Sequence, residues 1–272
     1  MIKMWIAYPQ IINIYYRNTR RTKKIKGDIE LYHIQVVLSD IIFPPTCVGC
    51  GSLGVRMCLS CSHRMRVIKE NWCLSCGNVL KKTSVCKYCE GKKETFPVLG
   101  CWYYESTIAR AVWSFKYKKD RQILHELSSR ILPTTLSELL EIKARNKNVV
   151  LVPVPLHETR EKERGYNQSY VFARFLSAIT NIPTEKDAIE RVKETKPQAK
   201  CRSKRERIQN TQGAFAVRKK ESLEGKAIIL IDDVVTSGST VREIAREIKK
   251  ESRSPELIAF CLAREQDGNI EI

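Results

Sequence analysis

The stretch Ile228-Ile-Leu-Ile-Asp232-Asp233-Val234-Val235-Thr236-Ser237-Gly238-Ser239-Thr240 decides the fold. Its first four residues are a continuous apolar run, the pattern of a strand buried on both faces in a parallel sheet. Two adjacent acids end that run. A loop of hydroxyls around one glycine follows, and Val241, Ile244, Ala245 and Ile248 then recur at helical spacing. Strand, loop and helix in this order gather backbone N–H groups and the positive end of a helix around one point, which suits a phosphate dianion. Gly238 permits the tight turn and close approach, and Thr236, Ser237, Ser239 and Thr240 can donate hydroxyls. Asp232 and Asp233 would repel a phosphate and suit a neighbouring diol or its metal. Side chains alternate along a strand, so the strand is expected to end at these acids, letting both carboxylates reach one ligand. Helix capping alone accounts for the hydroxyls and the glycine. Two acids favouring the helix dipole belong to that alternative as well, but their place at the C-terminal end of a strand, where open α/β sheets bind ligands, together with this loop favours a binding site. The stretch 228–240 has no Gly-x-x-x-x-Gly-Lys and no Gly-x-Gly-x-x-Gly, so an ordinary nucleotide or dinucleotide loop is not supported there.

Working outward, Val98 to Tyr104, Val149 to Val154 and Leu257 to Leu262 read as further strands. Ile108, Val112 and Phe115 have helical spacing, as do Ile123, Leu124, Leu127 and Ile131, and Val171, Phe172, Phe175, Leu176 and Ile179. Strands alternating with helices predict an α/β fold with a mainly parallel sheet over residues 97–272. Residues 1–42 form a basic extension in which Asp28 to Ile42 is expected to be a lead-in helix.

Between them, residues 43–96 hold eight of the eleven cysteines, in the pairs Cys47/Cys50, Cys58/Cys61, Cys73/Cys76 and Cys86/Cys89. A two-residue gap lets both thiolates of a pair face one ion, so four pairs supply two closed tetrahedral sites for structural Zn2+. Pairing the first two knuckles on one ion and the last two on the other is preferred, with an interleaved arrangement open. Gly49, Gly51 and Gly77 sit at the knuckle turns, and His63 is expected to be an exposed turn residue. Cys101, Cys201 and Cys261 stand apart and are expected to be dispensable for metal.

The 272 residues carry 48 Lys and Arg against 30 Asp and Glu, a formal charge of +18, which favours phosphate-bearing partners. Hydrophobic residues make up 43%, enough for a packed core. No window approaches the ~18 apolar residues of a spanning helix. Clustered cysteines without a clear secretory signal point to a cytoplasmic protein with metal-ligating thiols.

The segment 228–240 resembles the PRPP-binding motif of phosphoribosyltransferases, PRPP being 5-phosphoribosyl 1-pyrophosphate. From about Phe43 onward the chain resembles the ComF family, through the cysteine pairs, Phe115-Lys-Tyr, Val152-Pro-Val-Pro155, Arg164-Gly-Tyr-Asn-Gln168 and Asn210 to Phe215. The resemblance implies a phosphoribosyltransferase-like parallel sheet flanked by helices and preceded by a double zinc ribbon. It implies PRPP bound with Mg2+, the acid pair on the ribose hydroxyls and residues 234–240 around the 5′-phosphate. Arg160, Lys162 and Arg164 would neutralise pyrophosphate and Asn167 and Gln168 would hydrogen-bond it. For Arg164 to Gln168 a helix start capped by Asn167 fits equally well. Arg191 to Arg207, with eight basic residues against two acids, reads as a mobile hood, a solvated loop or a nucleic-acid contact. Two functions follow from the resemblance. One is phosphoribosyl transfer to an unknown acceptor. The other is a non-catalytic accessory of natural transformation that binds single-stranded DNA and other competence proteins, stacks bases on Trp72 and Tyr88, and uses PRPP as ligand or regulator.

Overall fold

The computed structural model describes residues 44–81, 86–89, 96–118, 120–195 and 203–265. Two compact units divide between Arg64 and Met65. The expected helix over 28–42 lies outside the described residues. In the smaller unit, helix α1 (Leu59–His63) follows Cys58, whose sulfur caps it by accepting from the Cys61 N–H. His63 is exposed at its end, as expected.

The larger unit runs, in chain order, β1 (Asn71–Cys73), β2 (Val79–Leu80), a 3-10 turn (Lys87–Cys89), β3 (Pro97–Tyr103), α2 (Ser106–Tyr117), α3 (Arg121–Ser128), α4 (Pro133–Arg145), β4 (Val149–Pro153), α5 (Glu158–Arg164) and α6 (Gln168–Thr180). It continues with β5 (Ile189–Arg191), α7 (Lys204–Thr211), β6 (Phe215–Val217), a 3-10 turn (Lys220–Ser222), β7 (Ala227–Val235), α8 (Ser239–Glu251) and β8 (Leu257–Arg264). Six strands make one sheet in the order β2-β1-β3-β8-β7-β4, and β5 and β6 form a separate antiparallel pair. The pairs β3–β8, β8–β7 and β7–β4 are parallel, so the fold class expected from the alternation holds.

Local chemistry explains the boundaries. Asp120 caps α3, its Oδ1 accepting from Gln122 and Ile123 N–H at 3.1 and 3.3 Å, worth about 1 kcal/mol. Pro133 begins α4 where a missing N–H costs nothing. Asn181 ends α6 in the left-handed conformation. Helix α6 packs on β4 and β7, with Phe172 against Phe260 at 5.7 Å between ring centroids. The other core cluster joins Val241, Ile244 and Ile248 of α8, Ile189 and Phe215 of the small pair, and Ile68, Trp72 and Leu74 of the second cysteine region, to Val150, Val152, Ile228 and Leu230. Each such side chain contributes about 1.5–3 kcal/mol by leaving water.

The second cysteine region is therefore an edge of the main sheet. Strand β1 pairs with β3 through Trp72↔Val98 and Cys73↔Pro97. Trp72 is 3% exposed, seated over Gly100, where an added Cβ would come within 3.0 Å of its ring. The expectation that Trp72 stacks bases is thereby overturned: its ring is consumed by the core.

Strand β7 also differs from expectation. It does not end at the acids but continues to Val235, because β8 runs alongside as far as Val235↔Arg264. Strand β4 stops at Pro153↔Ile231, so among the described residues the β4 side of β7 has no strand partner from Asp232 onward. That half-open strand end is the floor of the site.

Candidate functional site

A cleft at the C-terminal ends of β7, β4, β3 and β8 is lined by Asp232, Asp233, Val234, Val235, Thr236, Gly238, Ser239 and Thr240, and by Arg160, Arg164 and Gln168 across from them. The sequence reading thus brings most of its residues together. The acids diverge, as strand alternation demands, yet both reach the cleft. Asp232 Oδ1 accepts from Ser169 Oγ at 3.2 Å and from the Asp233 N–H at 2.9 Å. Asp233 Oδ2 lies 2.8 Å from Lys116 Nζ, and its Oδ1 accepts from the Val234 N–H at 2.7 Å. Burial, and then the neighbouring Asp233 carboxylate, push Asp232 up to about 7.

The loop is fixed from behind. Gly238 is the residue before α8, at φ +71, a conformation that suits glycine. A Cβ there would overlap the Leu74 side chain, which belongs to the second cysteine region. Arg242, one turn into α8, donates to Leu74 O at 2.8 Å and also to Ser237 O, clamping loop and knuckle together. Ser237 is buried behind the loop, with its Oγ 3.3 Å from Ser239 Oγ, and does not line the cleft.

Two other candidates also fall outside it. Asn167 is buried and caps α6 by accepting from the Tyr170 N–H at 3.3 Å, while its Nδ2 donates to Val154 O at 3.0 Å. Lys162 is exposed and paired with Glu158. Conversely, the cleft takes in Tyr104, Lys116, Tyr117, Ser169, Arg191, Arg207 and Glu265, none of which the sequence placed individually. Tyr104 and Glu265 directly follow the last residues of β3 and β8, a position from which ligand-facing residues can be anticipated. Of the basic run 191–207, residues 196–202 lie outside the described residues.

Arg191 is 8% exposed, and its Nε finds no hydrogen-bond partner among the described residues; its Nη2 donates to Thr195 Oγ1. Burial, and repulsion from Arg160, push this guanidinium down to about 10. Gln168 is 1% exposed with Nε2 likewise unpartnered, its Oε1 accepting from Arg164 at 3.1 Å. Lys116 is paired with Asp233 and Arg207 with Glu265, whereas Arg160, Arg164 and Arg191 have no carboxylate in ion-pair range among the described residues. Buried donors without partners, next to uncompensated guanidinium groups, fit a ligand rich in anionic oxygens.

The cysteines gather as Cys47, Cys50, Cys58 and Cys61 and as Cys73, Cys76, Cys86 and Cys89, each set with its sulfurs within 4.8 Å of one another. This is the sequential pairing. The sulfurs of Cys50 and Cys58 are 3.7 Å apart and those of Cys76 and Cys86 3.6 Å, close to the ~3.8 Å edge of a tetrahedron with ~2.3 Å Zn–S arms. All eight are free thiols, and backbone N–H groups of Cys58 and Cys61 point at sulfurs, so the donor sets fit Zn2+. Gly51 and Gly77 take positive φ at the knuckle turns; Gly49 does not. Cys101 and Cys261 are buried in the larger unit and belong to neither cluster, and Cys201 lies outside the described residues. Among the described residues no helix is long and apolar enough to cross a membrane.

Comparison with known proteins points the same way. Residues 38–90 match the family described as Double zinc ribbon domain, and residues 122–271 the Phosphoribosyl transferase domain. The chain is 28% identical to Competence protein ComFC of Bacillus subtilis over 77% of its own length and 84% of that protein's. It is 25% identical to Competence protein F of Haemophilus influenzae over 71% and 90%, respectively. It is 29% identical to DNA utilization protein YhgH of Escherichia coli over 59% and 69%.

Proposed function

Since the chain belongs to the ComF family, with a double zinc ribbon and a phosphoribosyltransferase domain, we propose that its cleft binds PRPP. The observation that carries this reading is the pairing of the glycine-hinged loop and two carboxylates with the partnerless donors of Arg191 and Gln168 opposite. The 5′-phosphate seats on the loop N–H groups before α8. The ribose hydroxyls face Asp232 and Asp233, and the pyrophosphate faces Arg160, Arg164 and Arg191. Two carboxylates beside an anionic ligand also fit Mg2+, which characteristically takes one or two carboxylates plus substrate phosphates and would neutralise pyrophosphate charge. In a transfer reaction these residues act by positioning and by balancing the charge of the departing pyrophosphate.

A second reading is that PRPP is a ligand that is sensed and not turned over. Among the described residues, it is favoured by the engagement of every carboxylate lining the cleft, Asp232 with Ser169, Asp233 with Lys116 and Glu265 with Arg207, and by a lining without histidine. An acceptor would then have to be activated by a carboxylate already held by a neighbouring side chain. The names of the relatives place such a protein in competence and DNA utilization, and the +18 charge supports single-stranded DNA as a partner, alongside other competence proteins. Release of pyrophosphate from PRPP, assayed with candidate acceptors and with single-stranded DNA, separates the two: steady release assigns an enzyme, and saturable binding without release assigns a sensor.

A further inference from the structure

Helix α2 presents a second surface beside the cleft. Arg110, Trp113 and Tyr117 share one helix face and all three are exposed, Trp113 by 52% and Tyr117 by 59%. Large rings at solvent-facing helix positions add little to a core, and here two stand together, with centroids 5.9 Å apart and planes tilted by 42°. A cation lies over each: Lys118 Nζ is 5.4 Å from the Trp113 centroid, and the Arg164 guanidinium 5.7 Å from that of Tyr117. The helix Ser106–Tyr117 contains no acidic residue. Tyr117 also lines the cleft, so this face and the cleft are continuous.

We propose that Trp113 and Tyr117 form a stacking platform for unpaired bases of a single-stranded nucleic acid, with Arg110 and Lys118 neutralising its phosphates. The proposal rests on the nucleic-acid partner put forward above and gives it a place, one that Trp72 cannot supply because it is buried. Rings offer a sequence-tolerant surface to the π-face of any base, and the adjacent cations meet the charge every nucleotide carries. A duplex keeps its base faces stacked inside and gains nothing from the rings. An acidic protein would satisfy the cations and leave the ring pair without a specific role.

The test is fluorescence anisotropy of a labelled oligothymidylate of about 20 nucleotides, long enough to span one such site. Trp113 does not line the cleft, so W113A is expected to weaken oligonucleotide binding about tenfold while leaving PRPP binding unchanged. W113F, which retains a stacking ring, should stay near wild type. Arg110→Gln with Lys118→Gln should lower the slope of log affinity against log salt by about two. Three results overturn the platform: W113A binding as tightly as wild type, a duplex of equal length binding as well as the single strand, or polyglutamate competing as well as the oligonucleotide. Wild-type protein that binds no oligonucleotide would instead remove the nucleic-acid reading itself.

Discussion

The two cysteine clusters have the same donors and similar spacing, but they occupy different structural positions. Cys47, Cys50, Cys58 and Cys61 close within the smaller unit, around the short helix α1. Cys73, Cys76, Cys86 and Cys89 hold a strand of the main sheet, and Leu74, between two of these ligands, fills the space behind Gly238. The second ribbon is thus part of the wall behind the loop before α8, with Arg242 as the tie between them. An identical motif can be a self-contained staple or a component of a binding site, and which one it is depends on what the residues between the ligands touch.

The largest effect expected from this difference is on metal loss. Cys73→Ala should release the second ion, free the Leu74 segment and reduce PRPP affinity by more than tenfold, because metal-ligand energy is folding energy in a small knuckle. Cys47→Ala should lower zinc from about two equivalents per chain to about one and leave PRPP affinity near wild type. Metal analysis paired with calorimetry reads both, and equal losses of PRPP binding in the two variants would erase the distinction.

Gly238→Val comes next. It should cost several-fold in affinity through two routes, a strained positive φ and overlap with Leu74. Leu74→Ala should restore part of that loss in the double variant, and full additivity would show that the ribbon does not press on the loop. Arg242→Met should have a smaller effect. Leu74 O would lose its 2.8 Å donor, at about 1–3 kcal/mol for a part-buried hydrogen bond to a charged group, read as a lower melting temperature with PRPP affinity down a few-fold.

The smallest effect is on pH. Asp232 sits at about 7 in the folded apo protein against about 3.9 for a free Asp, so the folded chain binds the extra proton between those values. The stability this contributes is fully present below about pH 4 and is lost as pH rises through about 7. Binding that needs the carboxylate runs the other way and should strengthen from pH 6 to pH 8. Denaturation midpoints against pH should flatten in Asp232→Asn, whereas the zinc-cluster variant Cys47→Ala should keep the wild-type slope.

How much of this was legible in the chain depended on whether its chemistry is contiguous. The loop 228–240 was readable because strand, acids, glycine and helix follow one another. The cysteine pairs were readable because a two-residue gap has few other uses. Helix α4 escaped notice since its buried positions, Thr135, Leu139 and Ile142, are sparse and one is polar. The three-residue strands β5 and β6 are too short to show a period. Arg191 was hidden in a basic run, and only folding reveals that it is buried while Lys193, two residues on, is exposed. Lys116 had no derivable role because its partner Asp233 lies on a distant strand. The end of β7 was misplaced because the reading used its own side-chain alternation, whereas β8 sets where its hydrogen bonds stop.

The central claim, a PRPP site whose floor is the acid pair, is tested most directly by isothermal titration of the full chain with PRPP, with and without Mg2+, in wild type and in the double variant Asp232→Asn with Asp233→Asn. The predicted result is one PRPP per wild-type chain with Mg2+ present, and affinity lowered at least a hundredfold in the variant, whose zinc content and circular dichroism stay those of wild type. Binding by the folded variant as tight as by wild type, or no PRPP binding by zinc-replete wild-type protein, would contradict it.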